Sequence, residues 1–178
     1  MKVPGAQIRQ YFQPVFGLRP LRVRPGVGSF LTFEFGRRNR NYGHLYAQWR
    51  LWIYLSNWIL FHGDHRLLDS DAERKRIEVI ANRLEEETLL TDVEFDARRR
   101  KTAFSFGDFR LVVSPADYLD NISDRDAYWM FFMPDHEVLS ARPSGLQLVR
   151  EDACPPVKTT RKQDADSHTS GRLVRLQD

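Results

Sequence analysis

His62-Gly63-Asp64-His65 is the group in this chain most like a metal site. Two imidazoles three residues apart with a carboxylate between them can supply three ligands to a zinc-type ion. On a connecting turn, however, neither a helix nor a strand sets the direction of these side chains, and no spacing in the sequence supplies a fourth ligand. The plainer reading is a polar connector between a strand and a helix. Asp117, Asp120, Asp124 and Asp126 form a carboxylate-rich stretch that lacks the glycine and terminal glutamate of a calcium loop. Asp135-His136-Glu137 has no lysine following it as a nuclease centre would need. Both read as solvated loop charge. Cys154, the one cysteine, lies beside Pro155 and Pro156 and can form neither an intramolecular disulfide nor a cysteine-based zinc site. There is no G-x-S-x-G, P-loop or G-x-G-x-x-G, and Gly26-Val27-Gly28-Ser29 leads into a strand rather than a helix N-terminus. No complete catalytic constellation is legible. The sequence therefore assigns no catalytic residue, metal ligand or cofactor.

Two arginine groups remain. Arg37, Arg38 and Arg40 precede Tyr42, and Arg98, Arg99 and Arg100 precede Lys101. On loops such groups reach phosphates, and Tyr42, Tyr46 and Trp52 offer stacking faces, which makes nucleic-acid binding one reading. The plainer reading is that these arginines pair with the chain's own carboxylates. Charge is unevenly distributed. Residues 1–66 carry ten Lys/Arg against Glu34 and Asp64, a balance of +8, while residues 67–150 carry twelve against seventeen, a balance of −5. Arginine supplies twenty-two of the twenty-seven cations, and its planar, bidentate head suits protein interfaces as well as phosphates.

These residues need elements to position them. Leu31, Phe33 and Phe35 alternate with Phe30, Thr32 and Glu34, so Ser29–Phe35 reads as a strand pairing with Leu21–Arg24 across a Pro-Gly turn. Residues 37–43 read as a polar loop. From Leu45 to Phe61, Leu45, Ala47, Trp49, Leu51, Ile53 and Leu55 keep period two, with Tyr46, Trp52 and Tyr54 opposite. Seventeen residues exceed the usual strand, so a break near Ser56-Asn57 is expected. The strand is either central and buried on both faces, which the pattern favours, or presents an aromatic patch. Ser70-Asp71-Ala72-Glu73 matches a capping box, and Ile77, Ile80, Ala81 and Leu84 continue as one apolar stripe, predicting a helix over 70–85. Leu89–Phe95, Thr102–Phe106 and Phe109–Val113 form a meander with a hairpin at Gly107-Asp108. Tyr128–Met133, Val138–Ser140 and Leu146–Val149 supply the last strands. The fold class is α+β: a mainly antiparallel sheet, curved or sandwich-like, with one amphipathic helix packed on it.

The stretches Gly26-Val27-Gly28-Ser29-Phe30-Leu31-Thr32-Phe33-Glu34-Phe35-Gly36 and Trp49-Arg50-Leu51-Trp52-Ile53-Tyr54, with the strand Tyr128–Met133 and the turn Pro134-Asp135, resemble those of small uncharacterised bacterial proteins. Some of those resemble toxin-immunity or genomic-island proteins. The resemblance spans residues 20–150, its motifs are structural, and it implies a binding protein without carrying over any functional residue.

At 178 residues the chain can hold one sizeable core, and its twelve Phe, six Tyr and four Trp favour strands. The expected organisation is an N-terminal segment 1–17, one domain over 18–150 and a polar, disordered tail over 151–178. No secretory signal or membrane span is legible, which makes the cytoplasm the expected location. The first functional reading is a non-catalytic protein-binding module, with Tyr46, Trp52, Tyr54, Arg37, Arg38 and Arg40 at its partner face. Nucleic-acid binding through Arg98, Arg99, Arg100 and Lys101 comes second. Metal-dependent hydrolysis at His62, Asp64 and His65 comes third.

Overall fold

The computed structural model describes residues 1–41, 44–116 and 126–150, with side chains outside residues 39–46. Two antiparallel sheets face one another across an aromatic core. The first has seven strands in the order β1 (Lys2–Val3), β12 (Gly145–Arg150), β11 (Glu137–Arg142), β10 (Trp129–Phe132), β4 (His44–Ile53), β3 (Leu31–Asn41) and β2 (Arg22–Pro25). The second has five, in the order β6 (His65–Asp69), β5 (Ser56–His62), β9 (Phe109–Pro115), β8 (Lys101–Phe106) and β7 (Leu90–Asp96). Across the interior Phe33 stacks on Phe106 at 5.0 Å, and Trp129 donates its indole N–H to the Thr102 hydroxyl at 2.7 Å. The architecture is α+β and mainly antiparallel, as the alternation implies.

The long alternating run passes from one sheet to the other. Leu51 and Ile53 are buried in β4, whereas Ser56, Trp58 and Leu60 are the buried positions of β5, so the inward phase shifts by one residue. Leu55, at φ 51°, absorbs the shift. The break thus falls at Tyr54-Leu55 rather than Ser56-Asn57, because a chain changing sheets must turn its pleat over. Residues 37–41 also differ from expectation. They continue β3 and pair with β4 as far as Asn41↔His44, past a bulge between Phe35 and Arg38. Backbone pairing with a neighbouring strand overrides their polar composition.

Two helices close the open sides of the sandwich. α1 (Ile8–Phe12) lies along β7 and inserts Phe12, whose ring stacks on Phe131 at 4.0 Å and meets Phe104 and Trp129 edge-on. Residues 1–17, set apart in the sequence, thus give Val3, Ile8, Phe12 and Val15 to the same core. Gly17 N–H and Leu90 N–H then bond Leu90 and Leu18 carbonyls across the β7 edge.

α2 (Arg74–Glu87) closes the other side, burying Ile77, Ala81 and Leu84 over Leu31, Trp58, Leu60 and Leu68. Its Glu85 carboxylate accepts the Val23 N–H, covering part of the β2 edge. The capping box does not form: the helix begins at Arg74, and its N-cap residue, Glu73, makes no side-chain cap bond. Ser70 instead prolongs the sheet, donating its N–H to the Trp58 carbonyl, while Asp69 accepts the Asp71 N–H. The acidic loop residues Asp117, Asp120 and Asp124, together with Cys154 and the tail 151–178, lie outside the described residues.

Candidate functional site

The seven-stranded sheet buries one face and presents the other to solvent. β4 runs between β3 and β10, so Trp52 stands beside Thr32 and Met130, and Arg50 beside Glu34 and Phe132. Alternation sends Leu51 and Ile53 into the core and Arg50 and Trp52 outward. Tyr54 follows at the corner, its N–H held by the Tyr128 carbonyl at 3.0 Å, and the residue is 44 % exposed. Burial of β4 on both faces is therefore not what the structure has: the strand is central in its sheet, yet Trp52 is half-buried and Tyr54 exposed.

Around Trp52 the outward rings form a connected cluster. Phe30 meets Trp52 and Tyr54 edge-on at 5.7 and 5.6 Å, and Phe132 lies 4.7 Å from Trp52. The Arg50 guanidinium sits 4.8 Å from the Phe132 ring centre and 5.6 Å from that of Trp52. Such edge-on and cation–π contacts hold the rings in place. Phe30, Arg50, Met130 and Phe132 complete a face of which the sequence singled out only Trp52 and Tyr54. Their positions on outward alternation were legible, but not that β10 lies beside β4.

The two arginine groups lie on different sheets. Arg37 and Arg38 fall at the β3 bulge, where the Arg37 N–H reaches the Gln48 side-chain oxygen and Arg38 pairs with Glu34 at 3.8 Å. Arg40 pairs in the ladder with Leu45, and Tyr46 with Asn39; their side chains lie outside the described residues, as does Tyr42. Arg98, Arg99 and Arg100 lie on the β7–β8 turn of the other sheet, and Lys101 opens β8. Asp96 organises that turn, accepting the Arg98 and Arg99 N–H groups at 2.9 and 3.0 Å and pairing with the Arg99 side chain.

His62 and His65 face each other across the Gly63-Asp64 turn of the β5–β6 hairpin, which joins two strands rather than a strand and a helix. All four residues are exposed, and the His62 ring packs on Phe109 at 4.7 Å. Among the described residues no three His, Cys, Asp or Glu side chains are placed to hold a metal ion.

Two titratable groups depart from their ordinary behaviour. The hydrogen bond from Arg66 is the main cause holding the Asp69 carboxyl below its usual range, and the Asp71 and Ala72 N–H groups add to it. Burial pushes the Tyr128 phenol far up, against the opposing pull of the Thr102 hydroxyl and the Arg100 charge, so it stays neutral. No helix among the described residues is long and apolar enough to cross a membrane. No family model, curated protein or solved structure matches the chain.

Proposed function

We propose that this protein is a non-catalytic protein-binding module, an immunity, accessory or scaffolding subunit, and that it binds through the outer face of the seven-stranded sheet. One observation carries the reading: Phe30, Trp52, Tyr54 and Phe132 form a connected aromatic cluster on a solvent face that the fold does not need for its core. Contiguous apolar surface of this kind marks interaction sites, and Trp, Tyr and Arg are the residues in which interfaces concentrate their energy. Nucleic-acid binding at Arg98–Lys101 has less support, because Asp96 places a carboxylate inside that turn.

Alanine at Trp52 or Tyr54 is expected to weaken the complex by at least ~2 kcal/mol in a pull-down titration from the source cells. Thermal melts of the same variants should show the domain still folded. A loss of ~3–5 kcal/mol of stability, the cost of emptying a core site, with no change in what the protein retains, would overturn the proposal.

A further inference from the structure

The charge imbalance along the chain becomes an imbalance between the two faces of the sandwich. Register places Lys2, Arg22, Arg24, Arg50 and Arg142 on the outer face of the seven-stranded sheet. The carboxylate in register with Arg22 and Arg50 there is Glu34, which the Arg38 guanidinium approaches at 3.8 Å. On the outer face of the five-stranded sheet, Asp69, Asp92, Glu94 and Asp96 stand with Arg66, Lys101 and Arg110. Among the described strand residues, the aromatic face carries five cations against one anion and the opposite face three against four. The reason is topological. The cationic first third of the chain supplies β2, β3 and β4 to one sheet, and the acidic stretch after it supplies β7, with Asp92, Glu94 and Asp96, to the other.

We infer that the partner of the aromatic face is a folded protein with an acidic surface, one whose carboxylates ring an apolar centre. This rests on the proposed protein-binding role and names the partner's chemistry. Charge complementarity selects it: an apolar, ring-built centre rimmed by guanidinium groups is matched by apolar residues rimmed by Asp and Glu, which pair bidentately with arginine. A nucleic-acid strand is also anionic, but bases stack on open ring faces. Here Arg50 lies over Phe132 and Trp52, and Phe30 meets Trp52 at 85° and Tyr54 at 81°. The rings are already packed among themselves into a platform that suits a second protein surface.

The test uses the full chain as bait against lysate of the source cells, with the variants Trp52→Ala, Arg22→Glu/Arg24→Glu and the milder Arg22→Gln/Arg24→Gln. A retained protein is identified, its dissociation constant measured, and its footprint mapped by hydrogen exchange; a twenty-nucleotide oligo-dT is titrated in parallel. Expected is one partner with an acidic footprint. Its binding should weaken at least ~10-fold with the glutamate pair, ~3-fold with the glutamine pair, and ~10-fold between 50 and 300 mM salt, by screening. If Trp52→Ala abolishes binding but both arginine pairs and salt leave it unchanged, the acidic-partner inference falls and the binding face stands. If Trp52→Ala also changes nothing, or no protein is retained, both fall. Nuclease-sensitive capture with tight oligo-dT binding would overturn the inference in favour of nucleic acid.

Discussion

Gly36 shows how much one residue can decide. At φ +77° it forms the bulge in β3, and a Cβ there would lie 2.6 Å from the Trp49 ring. A side chain at this position meets both a disfavoured backbone and a wall. Gly36→Ala is therefore expected to cost about 2–4 kcal/mol in a denaturant titration. The bulge redirects the strand just before the Arg37–Arg40 stretch, so the substitution should also disturb the β3–β4 hairpin, visible as lost amide protection over residues 37–41. Trp52 behaves differently. It packs against rings of its own sheet and stays half-buried, which is why its removal should be read in binding rather than in folding.

The junction between β6 and α2 carries the pH-sensitive contact. Asp69 ends the strand, binds Arg66, and accepts the Asp71 N–H that turns the chain toward the helix. Its folded pKa lies below the ordinary 3.8, so its stabilisation is present above that value and is lost as pH falls through the folded one. Asp69→Asn should thus lower the melting temperature slightly at pH 6, and the difference from wild type should shrink on acidification below pH ~4. A difference that stayed constant down to pH ~2 would mean the carboxylate charge plays no part. This Asp69 turn is also what displaces the capping box. With residues 69–72 committed to it, the helix can start only at Arg74.

Assembly of the two sheets depends on the residues that plug their open sides. Phe12 stands among Phe104, Trp129 and Phe131, contributed by both sheets, and is fully buried. Phe12→Ala should cost ~3–5 kcal/mol, and a chain begun at residue 18 should fail to melt cooperatively, because the β7 side of the core would then face water. A cooperative melt of that shortened chain would show that the interior closes without α1. Closure on both sides also fixes which surfaces remain for binding. The β2 edge is partly covered by Glu85 and the β7 edge by residues 17–18, which leaves the outer faces of the two sheets, one of them basic and ring-bearing, as the broad surfaces.

Much of this was present in the amino-acid order. Period-two alternation located Leu31–Phe35, the Leu45–Phe61 run and the meander, and the apolar stripe Ile77–Leu84 located the helix, because burying one face of an element demands that pattern. The outward placement of Trp52 relative to Leu51 followed from the same rule. What alternation cannot express is which strands become neighbours and which sheet each joins, since those depend on contacts between residues far apart in the chain. The passage of the chain between sheets at Leu55, the insertion of Phe12, the joining of Phe30, Trp52 and Phe132 into one cluster, and the conversion of charge along the chain into charge between faces were decided by tertiary packing. Local turn chemistry was likewise outcompeted at Ser70, where a backbone bond to Trp58 in the sheet took the place of a helix cap.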